Sequence, residues 1–142
     1  MRFSTEFRVN AEPAVVYAHL MDPRSYVGIA PLVVAVRDIR EVSGAVEYVA
    51  VERFRLGPLH WDNPIRVRMT GRPADHRVTS SVVSPFQVTL NAALTLTPAA
   101  GGGCDASEDV SVRAPWFLRG FVNKKAREAA AGRATELARR FA

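Results

Sequence analysis

Residues 110–142 decide the fold, and they read VSVRAPWFLRGFVNKKAREAAAGRATELARRFA. Before Pro115, apolar and polar side chains alternate as in a half-buried strand. After it, apolar side chains recur every three or four residues, as on one face of a helix. The change of period predicts that a β-sheet is followed by a C-terminal helix of about 26 residues. The apolar stripe of this helix consists of Leu118, Val122, Ala126, Ala130, Ala134, Leu137 and Phe141.

The chain upstream of this stretch reads mainly as strands. Residues 3–9 alternate in the same way, and short alternating runs fill residues 32–114 between turns such as Ser43-Gly44. The clearest run covers residues 86–97, with Phe86 on its apolar face. Because short connections join antiparallel strands, the predicted fold class is α+β, with an antiparallel sheet of about seven strands around a long C-terminal helix.

Short helices are expected after the first strand. Asn10 is a suitable cap and Pro13 suits a first helical turn, while Val16 and Leu20 recur four residues apart on one apolar face. Asp22-Pro23 predicts the end of that helix, because proline disfavours helical geometry in the residue before it.

Composition sets the broad class of the protein. The 142 residues suit one domain, and a single cysteine excludes a disulfide framework. The three histidines lack the spacing of metal ligands, so neither a metal site nor a cofactor is expected. Glu6 and Arg8 interrupt any apolar N-terminal run, and no stretch approaches the roughly 20 apolar residues of a membrane span. These features predict a cytoplasmic protein without stable membrane insertion.

The net charge of +5 raises nucleic acid as a partner, but its distribution argues against one. The excess of positive charge lies in the C-terminal helix, and no basic and aromatic motif of a nucleic-acid-binding module accompanies it. The apolar stripe of that helix is needed to close the domain. Its basic face is therefore expected to be solvent-exposed rather than a membrane or nucleic-acid anchor, and it carries Arg119, Lys124, Lys125, Arg127, Arg139 and Arg140.

The middle of the C-terminal helix is rich in alanine, whereas bulky side chains such as Phe121 and Leu137 occupy its ends. Small residues opposite a sheet either leave an internal cavity or let the helix approach closely. The sequence leaves both interpretations open.

Near the N-terminus the pattern F-x-V-x-A-x-P-x-x-V-Y-x-x-L, from Phe7 to Leu20, precedes Asp22-Pro-Arg-Ser-Tyr26 and Pro31. This pattern resembles the START-like (SRPBCC) superfamily, nearest its bacterial polyketide cyclase/dehydrase and coenzyme-Q-binding branches. The resemblance implies a helix-grip fold, in which a curved sheet holds the long helix and lipids, quinones or polyketides bind between them. Members include enzymes, carriers and ligand sensors, so the resemblance leaves the activity open.

Alternation along two neighbouring strands predicts which side chains face the interior. A tight turn near Pro58 brings the strand face that carries Glu52 and Phe54 onto the same inner surface as Asn63. The neighbouring arginines then lie on the outer surface, and no arginine is predicted to point inward. An unpaired carboxylate is costly in such a place. Glu52 therefore either meets a polar ligand group, or forms a salt bridge at the cavity mouth, or lies in a register slipped by one residue.

The leading functional prediction is a carrier or sensor of a small apolar or amphipathic molecule, acting as a monomer or homodimer. The predicted ligand-binding residues are Tyr26, Glu52, Phe54, Trp61, Asn63, Met69, Leu90, Leu94, Phe121 and Ala130. The alternative is a metal-independent enzyme of the cyclase/dehydrase (lyase) type, with Glu52 and Tyr26 as its catalytic candidates. A structural or interaction domain without a ligand is the third interpretation.

Overall fold

A seven-stranded antiparallel sheet and one long helix form the structure, a computed structural model that describes residues 1–142 apart from the side chain of Leu56. The strands are β1 (Arg2–Val9), β2 (Val33–Val42), β3 (Ala45–Leu56), β4 (Leu59–Arg72), β5 (Arg77–Ser84), β6 (Val88–Pro98) and β7 (Cys104–Arg113). The helices are α1 (Pro13–Leu20), α2 (Tyr26–Ile29) and α3 (Arg119–Arg140), with 3₁₀ turns at Pro23–Ser25, Pro73–Asp75 and Trp116–Leu118.

The strands follow one another across the sheet in the order β1-β7-β6-β5-β4-β3-β2, so only β1 pairs with a strand distant in sequence. Two-residue turns join β2 to β3 and β3 to β4. In the first of them Ser43 and Gly44 have φ values of 51° and 78°, which matches the twist of the flanking strands. The predicted fold class is confirmed, including the switch to a helix after Pro115.

Helix α3 lies close to the segment that precedes β2. A Cβ atom added at Gly132 would overlap Cγ of Pro31, so glycine permits this approach. At the C-terminal end of α3, Arg140 donates hydrogen bonds to the carbonyl oxygens of Ser25 (2.7 Å) and Val27 (2.9 Å). These contacts fix α3 against the helical segment that follows β1.

Three local expectations are wrong. Asn10 does not cap α1, because Glu12 occupies the N-cap position and Pro13 is the first helical residue. Phe86 lies in the turn between β5 and β6, since β6 begins only at Val88. Arg140 does not belong to the exposed basic face of α3, because its guanidinium turns toward Ser25 and Val27.

The interior is filled at one end of the sheet and open at the other. Val16, Met69, Leu96 and Leu137 are almost completely buried and belong to the main apolar core. At the opposite end, large side chains such as Phe121 remain about half exposed. Among the described residues, no helix has the length and apolarity to cross a membrane.

Candidate functional site

A cavity of about 660 Å³ separates the inner face of the sheet from α3. Its walls are mainly apolar: Ile65, Val82 and Leu90 contribute from the sheet, while Ala126 and Ala129 contribute from the middle of α3. Of the two interpretations of the alanine-rich helix, the structure therefore has the cavity.

Glu52 faces this cavity, as the predicted hairpin register requires. Glu52 pairs with Asn63 and Phe54 with Trp61 across β3 and β4, so the register is not slipped. Asn63 Nδ2 donates a hydrogen bond to Glu52 Oε1 at 3.3 Å, and among the described residues no cation lies within salt-bridge distance of this carboxylate. Burial raises the pKa of Glu52, and the hydrogen bond from Asn63 offsets only part of that rise.

Deeper in the cavity, Arg133 of α3 forms an ion pair with Glu108 of β7. Arg133 Nε donates to Glu108 Oε2 at 3.0 Å, and Nη2 donates to Glu108 Oε1, so the pair is bidentate. The side chains are only 16% and 5% exposed. Burial lowers the pKa of Arg133, but the charge and hydrogen bonds of Glu108 outweigh this effect, so the pKa stays above its ordinary value and the guanidinium stays charged.

Two tyrosines lie beside this ion pair. The rings of Tyr26 and Tyr48 are 6.2 Å apart, and the charge of Arg133 acts on both hydroxyl groups. Burial raises the pKa of both, which keeps them protonated. Within the described part of the chain neither hydroxyl has a hydrogen-bond partner, although every fully enclosed side-chain nitrogen and oxygen there has one. The two hydroxyls are therefore not fully enclosed, and since both tyrosines line the cavity, they are free donors toward it. Tyr26, Tyr48, Glu108 and Arg133 are called the inner cluster below.

Aromatic side chains surround the opposite end of the cavity. The rings of Phe54 and Trp61 stack at 5.6 Å, and Phe121 lies 6.4 Å from Phe54. Phe86 and Phe117 also line the cavity, and Trp116 packs edge-on against Phe117. The aromatic rim is defined as Phe54, Trp61, Phe86, Trp116, Phe117 and Phe121.

The inner cluster and the aromatic rim lie far apart. Arg133 follows Phe121 by twelve residues on α3, which corresponds to about 18 Å along a helix. Tyr48 precedes Phe54 by six residues on β3, or about 20 Å along an extended strand. Glu52 lies only two residues from Phe54, on the rim side of the cavity.

Most of the predicted ligand-binding residues line this cavity: Tyr26, Glu52, Phe54, Trp61, Asn63, Leu90, Leu94 and Phe121. Met69 and Ala130 are wrong as lining residues. Met69 has no exposed surface and packs inside the main core, while the Cβ of Ala130 is buried and its neighbour Ala129 faces the cavity instead.

Sequence reasoning missed Glu108 and Arg133, although both follow patterns already present. Glu108 alternates with Ala106 and Val110 on the buried face of β7. Arg133 lies seven residues after Ala126 and four before Leu137, and therefore on the apolar stripe of α3. The expectation that no arginine points inward is wrong, because Arg133 follows the spacing of the apolar stripe and its side chain is mostly buried.

His19 forms a second polar contact outside the cavity. Its Nε2 lies 3.1 Å from Nη1 of Arg140, and its Nδ1 lies 3.4 Å from Oγ of Ser25. Burial, followed by the charge of Arg140, lowers the pKa of His19. In the described part of the chain no group of three histidine, cysteine or carboxylate side chains is placed to hold a metal ion.

Comparison with known proteins gives a family match over the whole chain. The sequence profile of the family described as polyketide cyclase / dehydrase and lipid transport matches residues 1–142. Among curated proteins, none matches the sequence.

Solved structures show the same fold at low sequence identity. A protein from Thermus thermophilus superposes with a TM-score of 0.81 at 14% identity, covering 99% of this chain and 97% of that one. A START superfamily protein from Mycobacterium smegmatis gives 0.79 at 12% identity, with 99% and 96% covered. The Zhui aromatase/cyclase from a Streptomyces species gives 0.69 at 16% identity, with 99% and 94% covered. At these identities the likeness establishes the helix-grip fold alone.

Proposed function

The chain belongs to the polyketide cyclase / dehydrase and lipid transport family, and we propose that it forms a START-like domain that binds one small amphipathic molecule, as a carrier or a sensor. The observation that carries this proposal is the apolar cavity of about 660 Å³ with polar groups at its inner end. Protein pockets for small ligands typically measure about 300–1,000 Å³ and combine apolar walls with a few polar groups. A lipid, a quinone or a polyketide-like molecule has a matching distribution of polar and apolar atoms.

The inner cluster supports one orientation of the ligand. The hydroxyls of Tyr26 and Tyr48 are protonated donors without a protein partner, and the charge of Arg133 lies beside them. Groups of this kind bind a hydrogen-bond acceptor such as a carbonyl oxygen. The apolar body of the ligand then extends along the alanines of α3, and a planar part fits beside the stacked rings of Phe54 and Trp61.

A ligand screen against two matched variants tests this proposal. Quinones, fatty acids and aromatic polyketides are added to the protein, and binding is measured by native mass spectrometry and thermal shift. Ala129→Phe fills the cavity, whereas Ala131→Phe adds the same side chain on the exposed face of the same helix. We expect binding by the natural chain and by Ala131→Phe but not by Ala129→Phe. Failure of every compound class to bind the natural chain, or equal binding by both variants, contradicts the proposal.

The second candidate function is catalysis of the cyclase/dehydrase type, and one observation favours it. Glu52 is a carboxyl group with a raised pKa that faces an apolar cavity, and such a group acts as a general acid or base near neutrality. When protonated it donates a proton to a carbonyl oxygen or to a departing hydroxyl group; when ionised it removes one from carbon.

The two candidate functions differ under one substitution. Glu52→Gln keeps the size of the side chain and removes the ionisable group, so an enzyme loses product formation from a poly-β-keto substrate while it still binds the substrate. A carrier forms no product before or after the change. Glu47→Gln is the control, because Glu47 lies on the outer face of the same strand and is paired with Arg40 and Arg68. An interaction domain without a ligand, the third interpretation, predicts a filled interior, and the cavity argues against it.

A further inference from the structure

The aromatic rim exposes more apolar surface than the ligand cavity alone explains. Trp116 is 81% exposed, Phe117 67% and Phe86 65%. The rim holds both tryptophans of the chain and four of its seven phenylalanines, namely Phe54, Phe86, Phe117 and Phe121. Contiguous exposed aromatic side chains of this kind mark a surface that binds another partner.

The rim is built from three separate projecting connections. Trp61 follows the turn between β3 and β4, Phe86 lies in the turn between β5 and β6, and Trp116 follows β7. Because neighbouring strands are antiparallel, these three connections lie at the same end of the sheet. Trp61, Phe86 and Phe117 of these connections also line the cavity, so the three connections surround its mouth.

Unpaired cations flank the aromatic side chains. Arg55 follows Phe54, Arg113 ends β7 and Arg119 begins α3, and all three are exposed. Among the described residues no carboxylate lies within salt-bridge distance of any of them. Lys125 lies 5.8 Å from the ring centroid of Phe121 at the same edge. Aromatic side chains beside exposed cations complement the interface of a bilayer that carries anionic lipids.

We propose that the aromatic rim docks peripherally on an anionic phospholipid bilayer, with the cavity mouth facing the lipid. The rings of Trp116, Phe117 and Phe86 enter the headgroup region, while Arg55, Arg113 and Arg119 contact lipid phosphates. An apolar ligand then passes between bilayer and cavity without crossing water. The apolar stripe of α3 stays within the fold. Arg119, however, belongs to the basic face of α3, so this proposal departs from the expectation that this face is not a membrane anchor.

The charge pattern favours a bilayer over a second copy of the chain. Two copies that met rim to rim would bring their flanking arginines together, and like charges in an interface oppose association. A bilayer with anionic lipids supplies negative charge opposite all the cations that flank the aromatic rim. The association is expected to be reversible, because it combines a few interfacial rings with salt-sensitive charge contacts.

Vesicle binding by the full chain tests this proposal without any added ligand. Vesicles of phosphatidylcholine alone are compared with vesicles that also contain phosphatidylglycerol, by flotation and by tryptophan fluorescence. Since both tryptophans lie in the rim, docking shifts their emission to the blue and exposes them to quenching by brominated lipid. We expect binding to the anionic vesicles, weakened when salt is raised from about 0.1 M to about 1 M.

Substitutions at exposed positions identify the surface. The double variant Trp116→Ala/Phe117→Ala is expected to bind anionic vesicles about tenfold more weakly. Adding Arg119→Glu to this double variant is expected to weaken vesicle binding further at low salt. The matched controls are Val15→Ala, an exposed apolar residue of α1, and Arg72→Ala, an exposed cation at the opposite end of the sheet. Both controls are expected to bind like the natural chain.

The other outcomes overturn the proposal. Absence of binding to anionic vesicles by a monomeric protein rules out docking of the rim on a bilayer. A dimer that Trp116→Ala/Phe117→Ala dissociates assigns the rim to a second copy of the chain. Equal vesicle binding by the rim variants and their controls would show that the rim does not contact the membrane. None of these results depends on whether the cavity binds a ligand, so failure here leaves the proposed function standing.

Discussion

Arg133 on α3 and Glu108 on β7 join helix and sheet through two hydrogen bonds at the inner end of the cavity. Arg133 takes a position on the apolar stripe of α3, and the pair keeps a charged group beside Tyr26 and Tyr48. Its geometry connects stability and ligand recognition, because the residues that hold the helix against the sheet also form the wall of the site.

Removal of one partner of this pair should destabilise the fold. Glu108→Leu leaves the Arg133 guanidinium uncompensated, and we expect a loss of about 3 kcal/mol in the free energy of unfolding. This lies at the lower end for buried pairs because the Arg133 side chain keeps 16% of its surface exposed. The double variant Glu108→Leu/Arg133→Leu should recover most of that loss. Urea denaturation measures both.

An exposed ion pair provides the comparison. Glu128 pairs with Lys125 on the surface of α3, so Glu128→Gln should change the free energy of unfolding by less than about 1 kcal/mol. If Glu108→Leu costs no more than Glu128→Gln, the buried pair does not hold α3 against the sheet.

The fold could be read from the sequence because each of its elements has one dominant period. Strands such as β1 and β7 alternate in burial from one residue to the next, and the buried residues Ala126, Ala130 and Leu137 recur at helical spacing in α3. The hairpin around Glu52 and Asn63 was equally accessible, because a two-residue turn fixes which side chains share a face. These features depend on local geometry and on burial pattern.

The inner cluster depends on contacts between distant segments. Glu108 and Arg133 are separated by 25 positions, and each is a charged residue at a place where the pattern asks for an apolar one. The pattern gives the direction of each side chain but not its partner. The ion pair between Glu108 and Arg133 could therefore not be predicted from the sequence. The same limit explains Met69, whose strand position faces inward while the packing of the main core, rather than the cavity, surrounds it.

The raised pKa of Glu52 predicts a pH dependence of stability with a definite sign. Between the ordinary carboxyl pKa and the raised folded value, the folded protein holds a proton that the unfolded chain has lost. The contribution of Glu52 to the free energy of unfolding therefore falls as pH rises through this window. Glu52→Gln lacks this loss, so its stability relative to the natural chain should increase with pH in denaturation series from acid to neutral pH.

Glu47 on the same strand should behave in the opposite way. Hydrogen bonding from Arg68, with the charge of Arg40, lowers the pKa of Glu47. Its contribution to stability is present at neutral pH and is lost as pH falls through the folded value. Glu47→Gln should thus lose stability relative to the natural chain as pH rises. If the relative stabilities of Glu52→Gln and Glu47→Gln changed with pH in the same direction, Glu52 would not be desolvated.

The free hydroxyls of the inner cluster predict a selective effect on ligand affinity. Tyr26→Phe or Tyr48→Phe removes a donor that has no protein partner, so stability should change little. Affinity for a carbonyl-containing ligand should fall by about fivefold to tenfold, which corresponds to one hydrogen bond. Affinity for a hydrocarbon analogue of similar size should stay the same in isothermal titration. Tyr17→Phe, outside the cavity wall, serves as the control.

The approach of α3 to Pro31 predicts that two glycine-to-alanine changes on one helix act in opposite directions. Alanine normally stabilises a helix interior by up to about 1 kcal/mol relative to glycine. Gly120 lies in the first turn of α3, where a Cβ atom meets nothing within 4 Å, so Gly120→Ala should raise the melting temperature by less than a change in the interior would. At Gly132 the Cβ atom overlaps Cγ of Pro31, and the ring of proline has little freedom to move, so Gly132→Ala should lose about 1–3 kcal/mol by overpacking. Thermal denaturation of both variants measures the difference, and a Gly132→Ala protein as stable as Gly120→Ala would show that α3 does not lie this close to the segment before β2.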